Sequence, residues 1–424
     1  MISELKIRNF KSLESVDLKL GHFNLLVGAN ASGKSNFLDA LRFLQRVGNG
    51  FRLDEILDGK PPSATSLRWQ GIRGGAKFVT FRMPDGTSAL ETSFQVRISN
   101  CGPIERSTED LIYNLSFDTE NGAPNYDDEL VTRGDKVLVK SELGRTAKAK
   151  SNTPLPENVL DLSKVNLLSL LASTDIIAER AGLAVKQMGK QDKEKNEGDL
   201  LIEEVTSISR DFRNMQFLDP IPSVLRDYSS KVERMSESGE GFAALIHEID
   251  SGGSKPALLE WLKELRPDEV DDILALEGLN NDFMVTVKEG KKEFRAPVLS
   301  EGTLRFIALA AAFFQPSMPK VLVIEEIEKG LHPSRLRLLL ELMRSQSKRT
   351  GTQVFATTHS PTLLNWLTEE DRKTTFVCTR DAESGATKMR SLAEVPRLEE
   401  LIKKNYNLDQ LFEEGWLESV LHES

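Results

Sequence analysis

The apolar residues of this chain fall into short runs that end at glycine or polar residues. The first run, Phe23–Val27, precedes a glycine-rich turn and then a segment, residues 36–44, with apolar positions at helical spacing. Two later runs, residues 321–324 and 353–358, also have strand length and a largely apolar content. Because strands buried on both faces appear as nearly unbroken apolar runs, the pattern predicts an α/β core with a parallel sheet.

A second pattern, strict alternation of apolar and polar residues, predicts half-exposed antiparallel strands. It occurs in three segments: residues 77–82, 93–98 and 111–117. Helical periodicity prevails from about residue 155 to 278, for example in residues 165–171, 200–212 and 242–249. We therefore expect residues 1–150 to form the N-terminal part of the core with a strand lobe, 151–280 a helical insertion or lid, and 281–424 the C-terminal part of the core.

Eight residues after the first apolar run match the phosphate-binding loop pattern G-x-x-x-x-G-K-[ST]: Gly28, Ala29, Asn30, Ala31, Ser32, Gly33, Lys34 and Ser35. A strand before and a helix after the loop are the context in which this pattern binds phosphate. The glycines let the backbone curl around an anion, and N–H groups at the helix N-terminus point toward it. Lys34 then places a positive charge on the β- and γ-phosphates, and the Ser35 hydroxyl binds Mg²⁺. The competing interpretation is a glycine turn before an ordinary helix.

Two adjacent carboxylates, Glu325 and Glu326, follow the apolar run at residues 321–324. A buried parallel strand that ends in acids is what a Walker B element requires. Because neighbouring strand residues point to opposite sides, the two glutamates cannot share one role. We expect one of them in the Mg²⁺ shell, while the other orients or deprotonates a water. The competing interpretation is a solvated strand end.

Two further segments gain meaning from their position in the chain. Ser300 is a candidate N-cap of a helix and Gly302 permits close backbone approach, about twenty residues before the Walker B strand. This segment resembles the LSGGQ signature of ABC-type ATPases. The third apolar run ends at His359, which is similar to the switch histidine of that class. Alone, each would be an ordinary cap or a solvated histidine.

The order of loop, signature, acids and histidine resembles that of RecF/SMC-type ATPases and of bacterial ATPases related to the OLD family. Residues 2–13 resemble their first strand with its "NFKS" element, residues 325–333 their "EEPE-x-x-LHP" segment, and residues 408–417 their closing helix. Two positions depart from this pattern or from that of related transporters. Ile327 stands where the family has proline, and Glu325 stands where transporter ATPases carry aspartate.

The resemblance implies a fold and an assembly. The fold would be an ABC-type P-loop NTPase head, with a mixed or parallel sheet, an antiparallel strand lobe and a helical insertion. Two heads would meet head to tail as a homodimer, or in a higher homo-oligomer, around two molecules of ATP. Residues 28–35 would then bind ATP in one protomer, while Ser300 and Gly302 of the other would contact its γ-phosphate.

Individual roles follow from the same resemblance. Glu325 would hold Mg²⁺ together with Ser35, Glu326 would polarise the attacking water, and His359 would contact the γ-phosphate. The remaining expected roles concern Asn36, beside the loop; Lys11, reaching a phosphate; Gln70, sensing Mg²⁺ and γ-phosphate; and Glu328, communicating across the dimer. Lys34, Glu326 and His359 are the expected catalytic residues.

Composition narrows the function classes. The 424-residue chain is 39% hydrophobic and 28% charged, as globular proteins are, and no apolar run reaches the length of a membrane span. Its two cysteines form no CxxC motif, which favours a reducing cytoplasm without structural zinc. The net charge of −10 argues against bulk nonspecific binding of nucleic acid but leaves room for a local basic groove.

The expected function is an ATPase that acts as a nucleotide-dependent dimerisation switch. Stand-alone relatives accompany a separate nuclease or toxin in bacterial phage defence, so the first hypothesis is a sensor that controls such an effector. The alternative is a RecF/SMC-like DNA-binding ATPase in repair or maintenance. A detached transporter subunit would need a membrane partner, and an inactive scaffold would not need both acids and the histidine.

Overall fold

The computed structural model describes residues 1–60, 69–99, 109–119, 124–142, 206–232, 234–265 and 270–422. The helix expected at residues 165–171 and the first part of the one expected at 200–212 lie outside these ranges.

The strands of the described residues are, in chain order, β1 (Ile2–Phe10), β2 (Leu13–Lys19), β3 (Phe23–Val27), β4 (Thr92–Ile98), β5 (Leu111–Asp118), β6 (Asn125–Arg133), β7 (Lys136–Glu142), β8 (Met215–Leu218), β9 (Ser229–Ser230), β10 (Asp272–Glu277), β11 (Asp282–Glu289), β12 (Lys292–Arg295), β13 (Val321–Ile324), β14 (Gln353–Thr358), β15 (Thr375–Arg380) and β16 (Thr387–Ser391).

The α-helices with both ends described are α1 (Lys34–Gly48), α2 (Leu53–Asp58), α3 (Gly75–Val79), α4 (Pro222–Leu225), α5 (Phe242–Ser251), α6 (Lys255–Leu265), α7 (Glu301–Ala311), α8 (Pro333–Thr350), α9 (Glu369–Lys373), α10 (Leu398–Lys403), α11 (Leu408–Glu413) and α12 (Trp416–His422). Residues 206–213 are also helical. Short 3-10 helices occupy Ala296–Val298, Pro361–Trp366 and Leu392–Glu394.

The chain divides into two compact units, each built from separate stretches of sequence. The first unit contains residues 1–21, 30–214 and 378–390, and the second contains residues 22–29, 215–377 and 391–424, each within the described ranges. The chain therefore crosses between the units inside the glycine-rich loop, after Ala29.

An antiparallel sheet organises the first unit, in the order β2-β1-β4-β5-β6-β7. The strands predicted at residues 93–98 and 111–117 are confirmed as β4 and β5. The strand predicted at 77–82 is wrong, because α3 occupies Gly75–Val79. Gly74 and Gly75 have positive φ angles that start this helical turn, and the Asp58 carboxylate accepts the N–H of Ala76 at 2.9 Å.

Aromatic side chains form part of the core of the first unit. The ring of Phe43, on α1, stacks on Phe94 at 4.9 Å and on Phe117 at 5.2 Å between centroids, and Phe10 lies 6.0 Å away. All four side chains are fully buried. The loop helix α1 is thus anchored to the antiparallel sheet by its apolar face.

A largely parallel sheet organises the second unit. Within this unit the strand order is β15-β3-β14-β13-β8, with β15 as far as Val377, and these five strands run in the same direction. The three apolar runs predicted as buried strands are therefore confirmed as the neighbours β3, β14 and β13. A smaller antiparallel sheet, β10-β11-β12 with β9 beside β11, belongs to the same unit.

The expected helical insertion also contains strands. Residues 215–218 form β8, which pairs with β13, and residues 272–277 form β10, which pairs with β11. The four residues of β8 are too few to show a period, so only the pairing with β13 identifies them as a strand. Helix α5 confirms the helical periodicity at 242–249.

Replacing Phe43 by alanine should destabilise the chain by about 3–5 kcal/mol, because it removes a buried ring from a filled aromatic cluster. The measurement is the free energy of unfolding in urea. Phe78→Ala is the control, since that ring is 47% exposed, and should cost less than about 1 kcal/mol. Equal losses in both variants would contradict the anchoring of α1 through Phe43.

Candidate functional site

The ends of three neighbouring parallel strands bring the sequence-predicted groups of the second unit to one sheet edge. Val27 pairs with Thr358, so Gly28 after β3 and His359 after β14 leave the sheet at the same level. Ile324 pairs with Ala356, and the N–H of Glu326 donates to Thr357 Oγ1 at 2.9 Å. The carboxyl ends of parallel strands are where ligands of open α/β sheets bind.

The glycine-rich loop continues into the first unit with the backbone that an anion-binding turn requires. Ala31 and Gly33 have φ angles of 64° and 100°, and α1 begins directly after Gly33. No side chain caps this helix N-terminus. Lys34 is largely buried, with Nζ 3.5 Å from Ser32 Oγ. A curved loop that leads into a helix without a side-chain cap has the geometry of a phosphate site.

A buried ionic group lies behind the loop in the first unit. Asp39 Oδ2 accepts hydrogen bonds from Lys11 Nζ at 2.5 Å and from Arg73 Nε at 3.1 Å. Arg73 Nη2 also donates to the carbonyl oxygen of Ser35 at 2.9 Å. Lys11, expected to reach a phosphate, is therefore paired with a carboxylate of α1. Sequence reasoning missed Asp39 and Arg73, although an acid on the apolar face of α1 was a usable signal.

The first unit also contains Asn36 and Gln70, two further residues with roles expected from the sequence. Asn36 Nδ2 donates to Ser12 Oγ at 2.6 Å, so its side chain braces the loop helix against the turn after β1. Gln70 is exposed in the glycine-rich turn before α3. Its sensor role stays a prediction.

The buried thiol of Cys378 belongs to the surroundings of Lys34. Complete burial raises the pKa of Cys378 to about 12, although the positive charge of Lys34 acts in the opposite direction. The thiol is therefore uncharged at neutral pH.

The backbone of the two acids is held in an unusual conformation. Glu326 has a φ angle of 49°, a left-handed value that non-glycine residues rarely adopt outside special sites. The N–H of Glu325 donates to the carbonyl oxygen of Leu218 at 3.1 Å. Both glutamate side chains are partly exposed. The turn is thus fixed by main-chain bonds while its carboxylates remain accessible.

Arg305, on the signature helix α7, fixes the same turn from inside the second unit. Its side chain is 2% exposed, and Nη2 donates to the carbonyl oxygens of Glu325 and Glu326 at 3.1 and 3.2 Å. Nη1 donates to Asp219 Oδ1 at 2.8 Å. A planar guanidinium with several donors suits this task better than an ammonium would. Sequence reasoning missed this residue.

Asp219, the first residue after β8, is the partly buried ion-pair partner of Arg305. Burial alone would raise its pKa, but hydrogen bonds and charges from Arg305 and Lys329 outweigh burial, and the pKa of Asp219 is lower than usual. Lys329 Nζ lies 3.1 Å from Asp219 Oδ2. The carboxylate therefore stays ionised in the folded protein.

The signature residues Ser300 and Gly302 lie at the start of α7. The Ser300 hydroxyl caps the helix by accepting the N–H of Thr303 at 3.2 Å, as the sequence predicted. A Cβ at position 302 would overlap the carbonyl oxygen of Gly330 and lie 3.2 Å from Arg335 Nη1. The close approach expected at Gly302 is therefore made to the turn after the acids.

His359 is oriented by Glu328. Glu328 Oε1 accepts the backbone N–H of His359 at 2.7 Å and lies 2.9 Å from its Nδ1. The carboxylate side chain is 10% exposed, whereas that of the histidine is 43% exposed. A hydrogen bond at Nδ1 leaves Nε2 as the ring atom available to another group.

Comparisons with known proteins identify a family and several similar proteins. A family model described as "AAA domain, putative AbiEii toxin, Type IV TA system" matches residues 23–365. An "ATP/GTP phosphatase" of Helicobacter pylori is 24% identical over 385 residues, which are 89% of this chain and 90% of that protein. The chromosome partition protein Smc of Methanocaldococcus jannaschii is 25% identical over 68% of this chain, which spans only 23% of that protein.

A solved structure of an SMC head, bound to the C-winged helix domain of ScpA, has a similar fold. It superposes with a TM-score of 0.53 at 14% sequence identity, over 95% of this chain and 99% of that chain. The predicted fold class, a P-loop ATPase head with parallel and antiparallel sheets, is confirmed. No helix within the described ranges is long and apolar enough to cross a membrane.

Replacing Arg305 by methionine should destabilise the chain by about 3 kcal/mol at pH 7, because it removes a buried guanidinium that binds the partly buried Asp219 and two main-chain carbonyls. The depressed pKa of Asp219 contributes stability above its unfolded value of about 3.9, and that contribution is lost as the pH falls further. The difference between wild type and Arg305→Met in the free energy of unfolding, measured in urea, should therefore become smaller below about pH 4.

Arg337→Met is the matched control for this substitution. The Arg337 guanidinium pairs with Glu341 on the exposed face of α8, and such a pair contributes less than about 1 kcal/mol to the free energy of unfolding. Identical unfolding curves for the Arg305 and Arg337 variants would show that Arg305 does not hold the acidic turn.

Proposed function

This chain belongs to the family with the AAA domain described above and is an ABC-type AAA ATPase of the RecF/SMC group, and we propose that it works as an ATP-dependent dimerisation switch. One observation carries the proposal. The phosphate-loop glycine, the paired acids and the histidine follow three adjacent parallel strands, as hydrolysis of a bound triphosphate requires. A relative of similar length is named an ATP/GTP phosphatase, which supports the same reaction.

The glycine-rich loop binds the triphosphate in this proposal. Backbone N–H groups of residues 28–35 and the N-terminus of α1 surround the phosphates, and Lys34 neutralises charge on the β- and γ-phosphates. Asp39 keeps Lys11 and Arg73 in place beside the loop. This arrangement holds the loop open without relying on the nucleotide.

The residues that would hold Mg²⁺ are Ser35 and Glu325, with Gln70 as a further ligand. Their oxygen atoms are the hard donors that this ion prefers. A set of so few protein oxygens fits Mg²⁺, which retains waters and binds substrate phosphates. When bound, the ion would neutralise charge on the β- and γ-phosphates.

Glu326 and His359 carry out the chemical step. Glu326 accepts a proton from water, whose oxygen attacks the γ-phosphorus while the bond to the β-phosphate oxygen breaks, giving ADP and phosphate. His359, held at Nδ1 by Glu328, presents Nε2 to the γ-phosphate. The left-handed backbone of Glu326 and the Arg305 clamp position the carboxylate before substrate binds.

The signature of a second protomer completes the site. Ser300 and Gly302 contact the γ-phosphate of the facing protomer, so ATP stabilises the dimer and hydrolysis releases it. A change from 1:99 to 99:1 in favour of the dimer needs about 5.5 kcal/mol. Two sites with charge-assisted hydrogen bonds of about 1.5–3 kcal/mol each can supply this.

In the cell, the switch controls a separate effector protein, a nuclease or a toxin, in bacterial defence against phage. The family description, which refers to a toxin of a toxin–antitoxin system, supports this role. A second candidate is an ATPase that binds DNA in repair or chromosome maintenance. The similarity to Smc favours it, whereas the net charge of −10 does not.

Glu326→Gln should bind ATP with near wild-type affinity, hydrolyse it at least about 100-fold more slowly and accumulate as dimers, because the variant keeps the phosphate contacts but loses the base. Binding of a fluorescent ATP analogue, phosphate release and mass measurement in solution test this expectation. Lys34→Ala is the control and should neither bind ATP nor dimerise. Wild-type turnover in Glu326→Gln would assign the base to another residue, and tight ATP binding by Lys34→Ala would remove the loop assignment.

The two cellular roles differ in their response to DNA. For the effector role, we expect an ATPase rate that double-stranded DNA leaves unchanged, and copurification with a nuclease or toxin encoded beside the gene. A rate that DNA stimulates, with DNA binding that weakens steeply as salt rises, would favour the repair role instead. Glu326→Gln, which should accumulate as dimers, can be used for the same measurements of DNA binding and copurification.

A further inference from the structure

The turn between β15 and β16 returns the chain to the phosphate loop within the first unit. Thr387, at the start of β16, donates its backbone N–H to the carbonyl oxygen of Ser12 at 2.6 Å. Its Oγ1 lies 2.7 Å from Ser12 Oγ, which also accepts a hydrogen bond from Asn36 Nδ2 at 2.6 Å. A continuous chain of polar groups therefore joins β16, the turn after β1 and the loop helix α1.

The side chain of Thr387 also fills the space beside the second glycine of the loop. A Cβ on Gly33 would overlap Thr387 Oγ1 and would lie 2.7 and 2.8 Å from its Cγ2 and Cβ. Thr387 is 2% exposed, so its side chain packs on the α-carbon of Gly33 with little access for solvent. Gly33 thus lacks a side chain for two reasons, its φ angle of 100° and this contact.

The turn that presents Thr387 has its own internal support. The N–H of Asp381 donates to the carbonyl oxygen of Ala386 at 2.8 Å, and the N–H of Gly385 donates to the carbonyl oxygen of Asp381 at 2.9 Å. Asp381 Oδ1 also accepts the backbone N–H groups of Ser384 and Glu383 at 2.8 and 3.1 Å. Thr387 is consequently fixed by its neighbours in sequence as well as by Ser12.

We propose that Thr387 is a positioning residue of the phosphate loop. Its hydroxyl group, through Ser12 and Asn36, holds the loop and the start of α1 in the conformation that binds the phosphates of a nucleoside triphosphate. A loop that is ordered before binding does not lose conformational entropy when the ligand arrives, so this support appears in the affinity for nucleotide. The proposal rests on the ATPase function proposed above.

Thr387→Val tests the proposal, because valine keeps the volume beside Gly33 and removes only the hydroxyl group. The KM for ATP should rise roughly threefold to tenfold, the effect of one lost hydrogen bond, while kcat at saturating ATP stays at the wild-type value. Thr387→Ser retains the hydroxyl and should keep a KM within about twofold of wild type. Ser12→Ala, which removes the same hydrogen bond and also the one from Asn36, should raise KM at least as much as Thr387→Val does.

Combining the two changes provides a further check. Because Ser12 and Thr387 act through one hydrogen bond, the double variant should have the KM of Ser12→Ala rather than the product of both effects. A wild-type KM in Thr387→Val would overturn the proposal. Equal increases in KM for Thr387→Val and Thr387→Ser would also overturn it, because they would indicate an effect of packing alone. A lower kcat with unchanged KM would do the same, because it would indicate an effect on folding.

The same measurements separate this proposal from the function on which it rests. Wild-type chain that shows no ATP turnover above that of Lys34→Ala would contradict the ATPase function itself. Normal wild-type turnover together with unchanged kinetics in Thr387→Val would contradict only the role of Thr387.

Discussion

Parallel hydrogen bonding among β3, β14 and β13 is the constraint on which the candidate site depends. The outermost of these strands in sequence, β3 and β14, are separated by more than 300 residues, yet the pairing of the three strands brings Gly28, His359 and Glu325 to the same edge. Strands of a parallel sheet that is covered on both faces are mostly apolar. None of these three strands contains a charged residue, and Glu325, Glu326 and His359 follow the ends of β13 and β14.

Structural features that depend only on residues close together in sequence could be predicted from the sequence. Continuous apolar runs predicted the central strands, and the spacing of Gly28 and Gly33 predicted a turn that the structure confirms with a left-handed φ angle at Gly33. Ser300 was recognisable as an N-cap because its bond to Thr303 spans three residues. Such features need no knowledge of the remaining chain.

Partners that are distant in sequence could not be predicted in this way. Arg305 reaches Asp219 across 86 residues, and Ser12 reaches Thr387 across 375 residues. Neither pair has a spacing or a composition that marks it. The strand β8 was missed for the same reason, since only its pairing with β13 distinguishes it from a helical segment. The pairing of Lys11 with Asp39 likewise becomes visible only in the folded structure.

The buried thiol of Cys378 has a practical consequence. A thiol reacts with alkylating reagents through its thiolate, and a pKa of about 12 makes that species scarce at neutral pH. Cys378 lies on β15, the strand next to β3. Labelling of this thiol would therefore require the sheet to open, so pulse alkylation at Cys378, followed by mass spectrometry, would report the rate at which this sheet unfolds.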